Sequence, residues 1–150
     1  MSLTIADRLA LSDLVHRYAA YVDDRRFDEV VELFTETAEM HLPEPPARLE
    51  PTLVRRGPDG VRAAMAALAA LTRTQHEIVG EVYADGPGHA TGRIVCVAHH
   101  WTRSDDGVTD VVWHLRYDDE YLPTAQGWRI RRRALTLNAI ETRPIRKLRD

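Results

Sequence analysis

Apolar residues recur three and four positions apart over the first part of the chain, then switch to alternation. Leu11, Leu14, Val15, Tyr18 and Val22 share one helical stripe. Thr4 can cap that helix, and Asp7 three residues on approximates a capping box. The helix is expected to run to Val22 or Asp23. A second, short helix carries Phe27, Val30, Val31 and Phe34. Residues 38–42 read as extended, and Pro43, Pro45, Pro46 and Pro51 as a rigid non-helical loop. Gly57-Pro58-Asp59-Gly60 leads into a third, alanine-rich helix with Val61, Met65, Leu68 and Leu71, its first turn suited by Pro58 and Asp59.

From residue 75 onward the period becomes two. Segments 75–83, 90–103, 108–121 and 128–140 are rich in Val, Ile, Thr, Trp and Tyr and are separated by turn residues, so they read as strands. Helices first and long antiparallel strands afterwards predict an α+β domain. A cone-shaped, strongly curved sheet should surround a pocket closed by the three helices. Asp105-Asp106-Gly107 suggests a three-residue hairpin loop with Gly107 in its left-handed position. Ser104 then pairs with Val108, His99 lies opposite Trp113, Val97 opposite Leu115, and Val95 opposite Tyr117. That register gives a concave face of Val95, Val97, His99, Trp101, Trp113, Leu115 and Tyr117, with His100 pointing away. A two-residue loop would instead bring His114 and Arg116 to the face that holds His99.

Length and charge narrow the function. One domain accounts for 150 residues. The longest apolar run, residues 63–71, is far short of the roughly 20 residues of a membrane span. The opening segment mixes acids with its apolar residues and has no basic head, so it does not read as a signal peptide. One cysteine, Cys96, allows no internal disulfide, and a cytoplasmic protein is the expectation. A net charge of −3 argues against nucleic acid. The basic run Arg129, Arg131, Arg132 and Arg133 lies in a strand, which splits it between two faces and makes it a solvated or subunit-facing surface.

The motifs exclude more than they assign. His99 and His100 are neighbours in a strand and cannot share one ion, and no HExxH or CxxC spacing is present, so no metal site is expected. No glycine-rich phosphate loop or GxSxG elbow occurs, so neither a nucleotide cofactor nor an acyl-enzyme is indicated. An acid–base set remains: Asp23 at a helix end, His76 at a strand start, and His99 on the concave face. A carboxylate at a helix C-terminus beside an apolar cavity needs a cation or hydrogen-bond donor, which a histidine supplies. The competing account is ordinary: a polar helix end, a satisfied core histidine, and Tyr18 as core packing.

The pattern Leu14-x-x-x-Tyr18-x-x-x-x-Asp23, then Phe27-Asp28-x-Val30-x-x-Leu33-Phe34, and finally Gly127-Trp128-Arg129-Ile130, resembles the SnoaL-like branch of the nuclear transport factor two-like superfamily. Within it, residues 21–28, Thr74-Gln75-His76 and Val97-Ala98-His99-His100 resemble scytalone dehydratase, and the spacing of Tyr18 and Asp23 is similar to bile-acid 7α-dehydratase. Val22 departs from the first pattern by replacing a tyrosine. The resemblance implies a metal- and cofactor-independent lyase or isomerase, acting on a small, mostly apolar carbonyl compound. Asp23, His76, His99 and Tyr18 would be catalytic, and Val97, Trp101, Trp113, Leu115 and Tyr117 would bind substrate. His76 would act as base, Asp23 would hold His99, and Tyr18 would face the enolate oxygen. The alternatives are a polyketide cyclase and a non-catalytic ligand- or protein-binding module. An epoxide hydrolase using Arg116, Asp118 and Asp119 is disfavoured, because Arg116 and Asp118 should face away from Tyr117. The resemblance also implies a homo-oligomer paired through an outer sheet face bearing Ile94, Cys96 and Ala98.

Overall fold

The structure is a computed structural model and describes residues 2–150. Helix α1 spans Ile5–Asp23. Its capping box is formed: the Asp7 backbone N–H donates to the Thr4 hydroxyl oxygen at 3.1 Å, and the Thr4 N–H donates to the Asp7 carboxylate at 2.9 Å. Helix α2 spans Phe27–Glu32 and α3 spans Gly57–Ala69. The strands are β1 (Phe34–Glu44), β2 (Arg48–Arg56), β3 (Arg73–Gly86), β4 (His89–Ser104), β5 (Gly107–Thr124) and β6 (Gly127–Ile145). They form one curved, open α+β sheet in the order β2-β1-β6-β5-β4-β3. Every pairing is antiparallel except β1 with β6, which is parallel. No helix among the described residues is long and apolar enough to cross a membrane.

The proline-rich segment is a hairpin rather than a loop. Strands β1 and β2 pair through Leu42↔Leu53 and Met40↔Arg55, and Pro51 lies within β2. Strand β2 is the sheet edge, where a residue without an N–H removes no ladder bond. This hairpin adds a wall over the sheet that the sequence pattern does not anticipate.

The β4–β5 hairpin closes by a two-residue loop, with Ser104 opposite Gly107. Ala98 then faces Trp113, Cys96 faces Leu115, and Ile94 faces Tyr117. The β5 side of the predicted concave face, Trp113, Leu115 and Tyr117, is in place, but β4 is turned over. Ile94, Cys96, Ala98 and His100 point inward and are buried. Val95, Val97, His99 and Trp101 point outward with His114 and Arg116. Expectation fails here because both faces of β4 are apolar enough to pass as core. The smaller residues are the inner ones, leaving room for a cavity and for incoming aromatics. At Gly92, a Cβ would meet the Tyr121 hydroxyl at 2.6 Å. Ile94, Cys96 and Ala98 are therefore part of the core and cannot form a subunit contact.

Strand β6 carries a bulge that also reverses a face. Glu120 pairs with Arg132 and Tyr121 with Ile130, leaving Arg131 unpaired. Before the bulge Trp128 and Ile130 are buried; after it Arg133, Leu135 and Leu137 are. Arg133, expected on a solvated or subunit-facing surface, is consequently 0% exposed.

Candidate active site

The site begins where α1 ends against the start of β3. Asp23 is held in the last turn of α1 by the burial of Tyr18 and Val22. Three donors from β3 converge on its carboxylate. The Thr74 hydroxyl donates to Oδ1 at 2.9 Å, the His76 backbone N–H donates to Oδ2 at 2.8 Å, and His76 Nδ1 lies 2.7 Å from Oδ1. This set fixes the His76 tautomer: Nδ1 carries the proton and donates to Asp23, leaving Nε2 with a free lone pair. Asp23 thus serves His76 and not His99, which corrects the expected pairing.

Across from His76 stands His100, with ring centroids 6.3 Å apart and planes nearly perpendicular. Its Nδ1 donates to the Val111 carbonyl at 2.8 Å, and its backbone N–H donates to Asp110 Oδ1 at 3.1 Å. Trp113 packs on the ring with a centroid distance of 4.6 Å. Burial pushes the His100 pKa below the ordinary histidine range, and its bond to the Val111 carbonyl opposes that only in part. His100 therefore presents a neutral ring. Neither Nε2 of His76 nor Nε2 of His100 is hydrogen-bonded among the described residues, and both rings line one cavity.

That cavity measures about 230 Å³. Its floor is Ala98, Trp113, Leu115, Tyr117 and Leu135 from the sheet, with Tyr18 from α1. Its outer walls are Met40, Leu42, Pro43, Leu53 and Arg55 from the β1–β2 hairpin and Ala63, Ala64, Met65, Ala67 and Leu68 from α3. The Arg25 guanidinium donates to the Leu68 and Leu71 carbonyls at 2.7 and 2.8 Å, tying the α1–α2 turn to the end of α3. Of the predicted residues, Tyr18, Asp23, His76, Trp113, Leu115 and Tyr117 belong to this region. Val97, His99 and Trp101 do not. His99 lies on the outer face, with Nδ1 2.6 Å from Asp110, Nε2 3.2 Å from Glu77, and its ring stacked on Trp101 at 5.5 Å. Its Nδ1 is hydrogen-bonded and its Nε2 faces Glu77 on the outer side, away from the cavity.

Beneath the cavity is a buried ion pair that the sequence reading missed. Arg133 donates to Asp119 through Nε and Nη2 at 2.9 and 2.7 Å, and the Tyr121 hydroxyl donates to the same carboxylate at 2.7 Å. The guanidinium carbon sits 4.2 Å from the Tyr18 ring centroid and 4.0 Å from that of Tyr117. Burial disfavours the Arg133 charge, yet Asp119 holds its pKa well above the ordinary range. Burial also raises the Tyr18 hydroxyl, against the nearby Arg133 charge, and raises Tyr117 further, so both remain neutral donors. One signal for Asp119 was present: it alternates with Tyr117 and Tyr121, which places all three on one face. No such signal existed for Arg133, whose face depends on the bulge. Cys96 is no nucleophile here, because burial pushes its thiol up to about 12.

The fold and site define a class: an open-sheet α+β domain enclosing an apolar cavity with an Asp–His pair on its wall. The family profile of the SnoaL-like domain matches residues 3–134, and the chain belongs to that family. Among solved structures, Kfla4162 from Kribbella flavida is 27% identical, with 91% of this chain and 93% of that one covered and a TM-score of 0.76. A candidate scytalone dehydratase from Novosphingobium aromaticivorans is similar in fold at 17% identity, covering 95% and 91%, with a TM-score of 0.79. A hexachlorocyclohexane dehydrochlorinase of LinA type 3 from Novosphingobium barchaimii is similar in fold at 16% identity, covering 96% and 93%, with a TM-score of 0.76. No curated protein matches the chain.

Proposed function

We propose that this protein is an acid–base lyase that eliminates water from a small, mostly apolar carbonyl compound held in the cavity. The observation that carries this reading is the His76 ring: one nitrogen is tied to Asp23 at 2.7 Å and the other is free at a partly open, mostly apolar cavity. Two structural neighbours have names that denote eliminations, a dehydratase and a dehydrochlorinase.

His76 Nε2 takes the proton from the carbon next to the substrate carbonyl. The C–H electron pair moves into an enolate, and Asp23 stabilises the imidazolium that forms. The Tyr18 hydroxyl donates to the enolate oxygen, where negative charge develops in the transition state. The enolate then re-forms the carbonyl, a C=C bond forms, and the C–O bond of the leaving hydroxyl breaks. His76 returns its proton to that hydroxyl, which leaves as water. His100 accepts a hydrogen bond from a substrate hydroxyl through Nε2 and so orients the leaving group. Electrons and protons balance without an added oxidant or cofactor, since the substrate carbonyl is the electron sink.

Proton abstraction can be measured before the natural substrate is known. Incubating the protein with 1-tetralone in deuterium oxide should exchange the protons next to the carbonyl, read by proton NMR. His76→Ala should return exchange to the buffer rate. Equal exchange by wild type and a folded His76→Ala variant would overturn the reading.

A further inference from the structure

The cavity has a second polar feature, at its mouth. Arg55 is the single permanently charged side chain that lines it. Its position is out of pattern. Met40 is its partner across the β1–β2 ladder and is 1% exposed, so Arg55 springs from the inner face of the hairpin, with its side chain exposed at the rim of the cavity. The next inner pair is Leu42 with Leu53, both cavity-lining. Val54 takes the opposite face, paired with His41.

No acid of the chain occupies Arg55. It forms no ion pair or hydrogen bond among the described residues. Glu39, the nearest candidate along β1, already faces His41 at 2.7 Å and Arg56 at 3.6 Å on the other side of the hairpin. Arg62 on α3 pairs with Asp28 and Asp59. The backbone beneath Arg55 is braced as well. The first turn of α3 presses on it so closely that a Cβ on Gly60 would lie 2.7 Å from the Arg55 carbonyl carbon.

We propose that Arg55 determines specificity by pairing with a carboxylate on the substrate, at the end remote from the carbon that His76 attacks. The inference rests on the cavity being the reaction site. A guanidinium offers a carboxylate two parallel N–H donors, and Arg55, exposed at the rim, can present both to a group at the cavity entrance. A substrate of this class has an apolar body seated over Trp113 and Tyr117 and an acidic group at the mouth.

The test uses two matched probes, 2-naphthoate and 2-naphthamide, which share shape and differ in charge. Isothermal titration of the full chain gives affinities, and NMR of the His76 and His100 ring signals reports where each probe sits. Wild type should prefer the acid by about tenfold, the size of one charge-assisted contact. Arg55→Gln should abolish the preference while the amide binds as before, and Arg55→Lys should restore part of it. If both probes shift the two histidine signals with equal affinity in wild type, the role of Arg55 is overturned and the cavity reading stands. If neither probe moves those signals, the cavity reading fails and the Arg55 assignment fails with it.

Discussion

Strands β3 and β4 each present a histidine to a carboxylate from another element, one pair on each face of the sheet, and the two pairs are built differently. On the inner face, His76 gives one nitrogen to Asp23 and keeps the other for a cavity. On the outer face, His99 lies between Asp110 and Glu77, with Nδ1 hydrogen-bonded to Asp110 and Nε2 turned toward Glu77 rather than toward a cavity. By pair distance alone they look alike, at 2.7 and 2.6 Å. The difference is what the second nitrogen meets. A general base needs a lone pair directed into space that a substrate can enter, and only the inner pair has one. The outer cluster instead braces the site: Asp110 also takes the backbone N–H of His100 and so helps set the inner ring.

The sharpest way to break this contrast is His76→Ala. Turnover of a substrate should fall by about 10² to 10⁴, the usual contribution of a positioned acid–base group. A folded variant with full turnover would remove the distinction between the two faces. The buried and outer ion pairs of β5 and β6 extend the comparison to stability. Asp119→Ala leaves Arg133 charged and unpaired in the core and should destabilise the protein by about 3–5 kcal/mol in urea unfolding. Glu120→Ala removes the partly exposed pair with Arg131 and should change stability by no more than about 1 kcal/mol. Equal effects would contradict a bulge at Arg131 that turns Arg133 into the core and leaves Arg131 at the surface.

Tyr18→Phe keeps the ring that stacks on Arg133 but removes the proposed enolate donor. A loss in turnover of about 10² to 10³ with unchanged thermal stability is expected, as for other preorganised oxyanion donors. A fall in stability with normal turnover would make Tyr18 a packing residue only.

His100 sharpens the comparison through pH. Burial lowers its folded pKa below the 6.5 of an exposed histidine, with His76 opposing its charge and Asp110 favouring it. The unfolded chain then binds the proton more tightly, so this contribution to stability is complete above about pH 6.5. It is lost as pH falls from there through the folded value. His100→Phe should flatten that part of the stability–pH curve, measured by urea titration between pH 7 and 5. An unchanged curve would contradict a neutral, buried His100. The smallest effect is expected on the outer face. His99→Gln should leave turnover within about threefold of wild type, well below the contribution of an acid–base group. A loss comparable to His76→Ala would return His99 to the catalytic set.

Local patterns in the chain determined much of this. Period marked all three helices and capping the first, because Thr4, Asp7 and the stripe through Tyr18 and Val22 act within one turn or two, although Phe34 and Leu71 fall outside the helices they were expected in. Alternation marked the four long strands, and the helix-end position of Asp23 with the strand-start position of His76 marked the working pair. The choice between His99 and His100 was decided only by tertiary structure. One residue in the β4–β5 loop sets the register, and the apolar content of the two faces of β4 is too similar to reveal it. The same holds for Arg133, turned inward by a bulge whose register depends on the partner strand, and for the hairpin that brings Arg55 to the cavity mouth. Side-chain identity is local, whereas the face a strand residue takes is set by its pairing with segments far away in the chain. Neighbours such as His99 and His100 therefore exchange roles when a single pairing shifts.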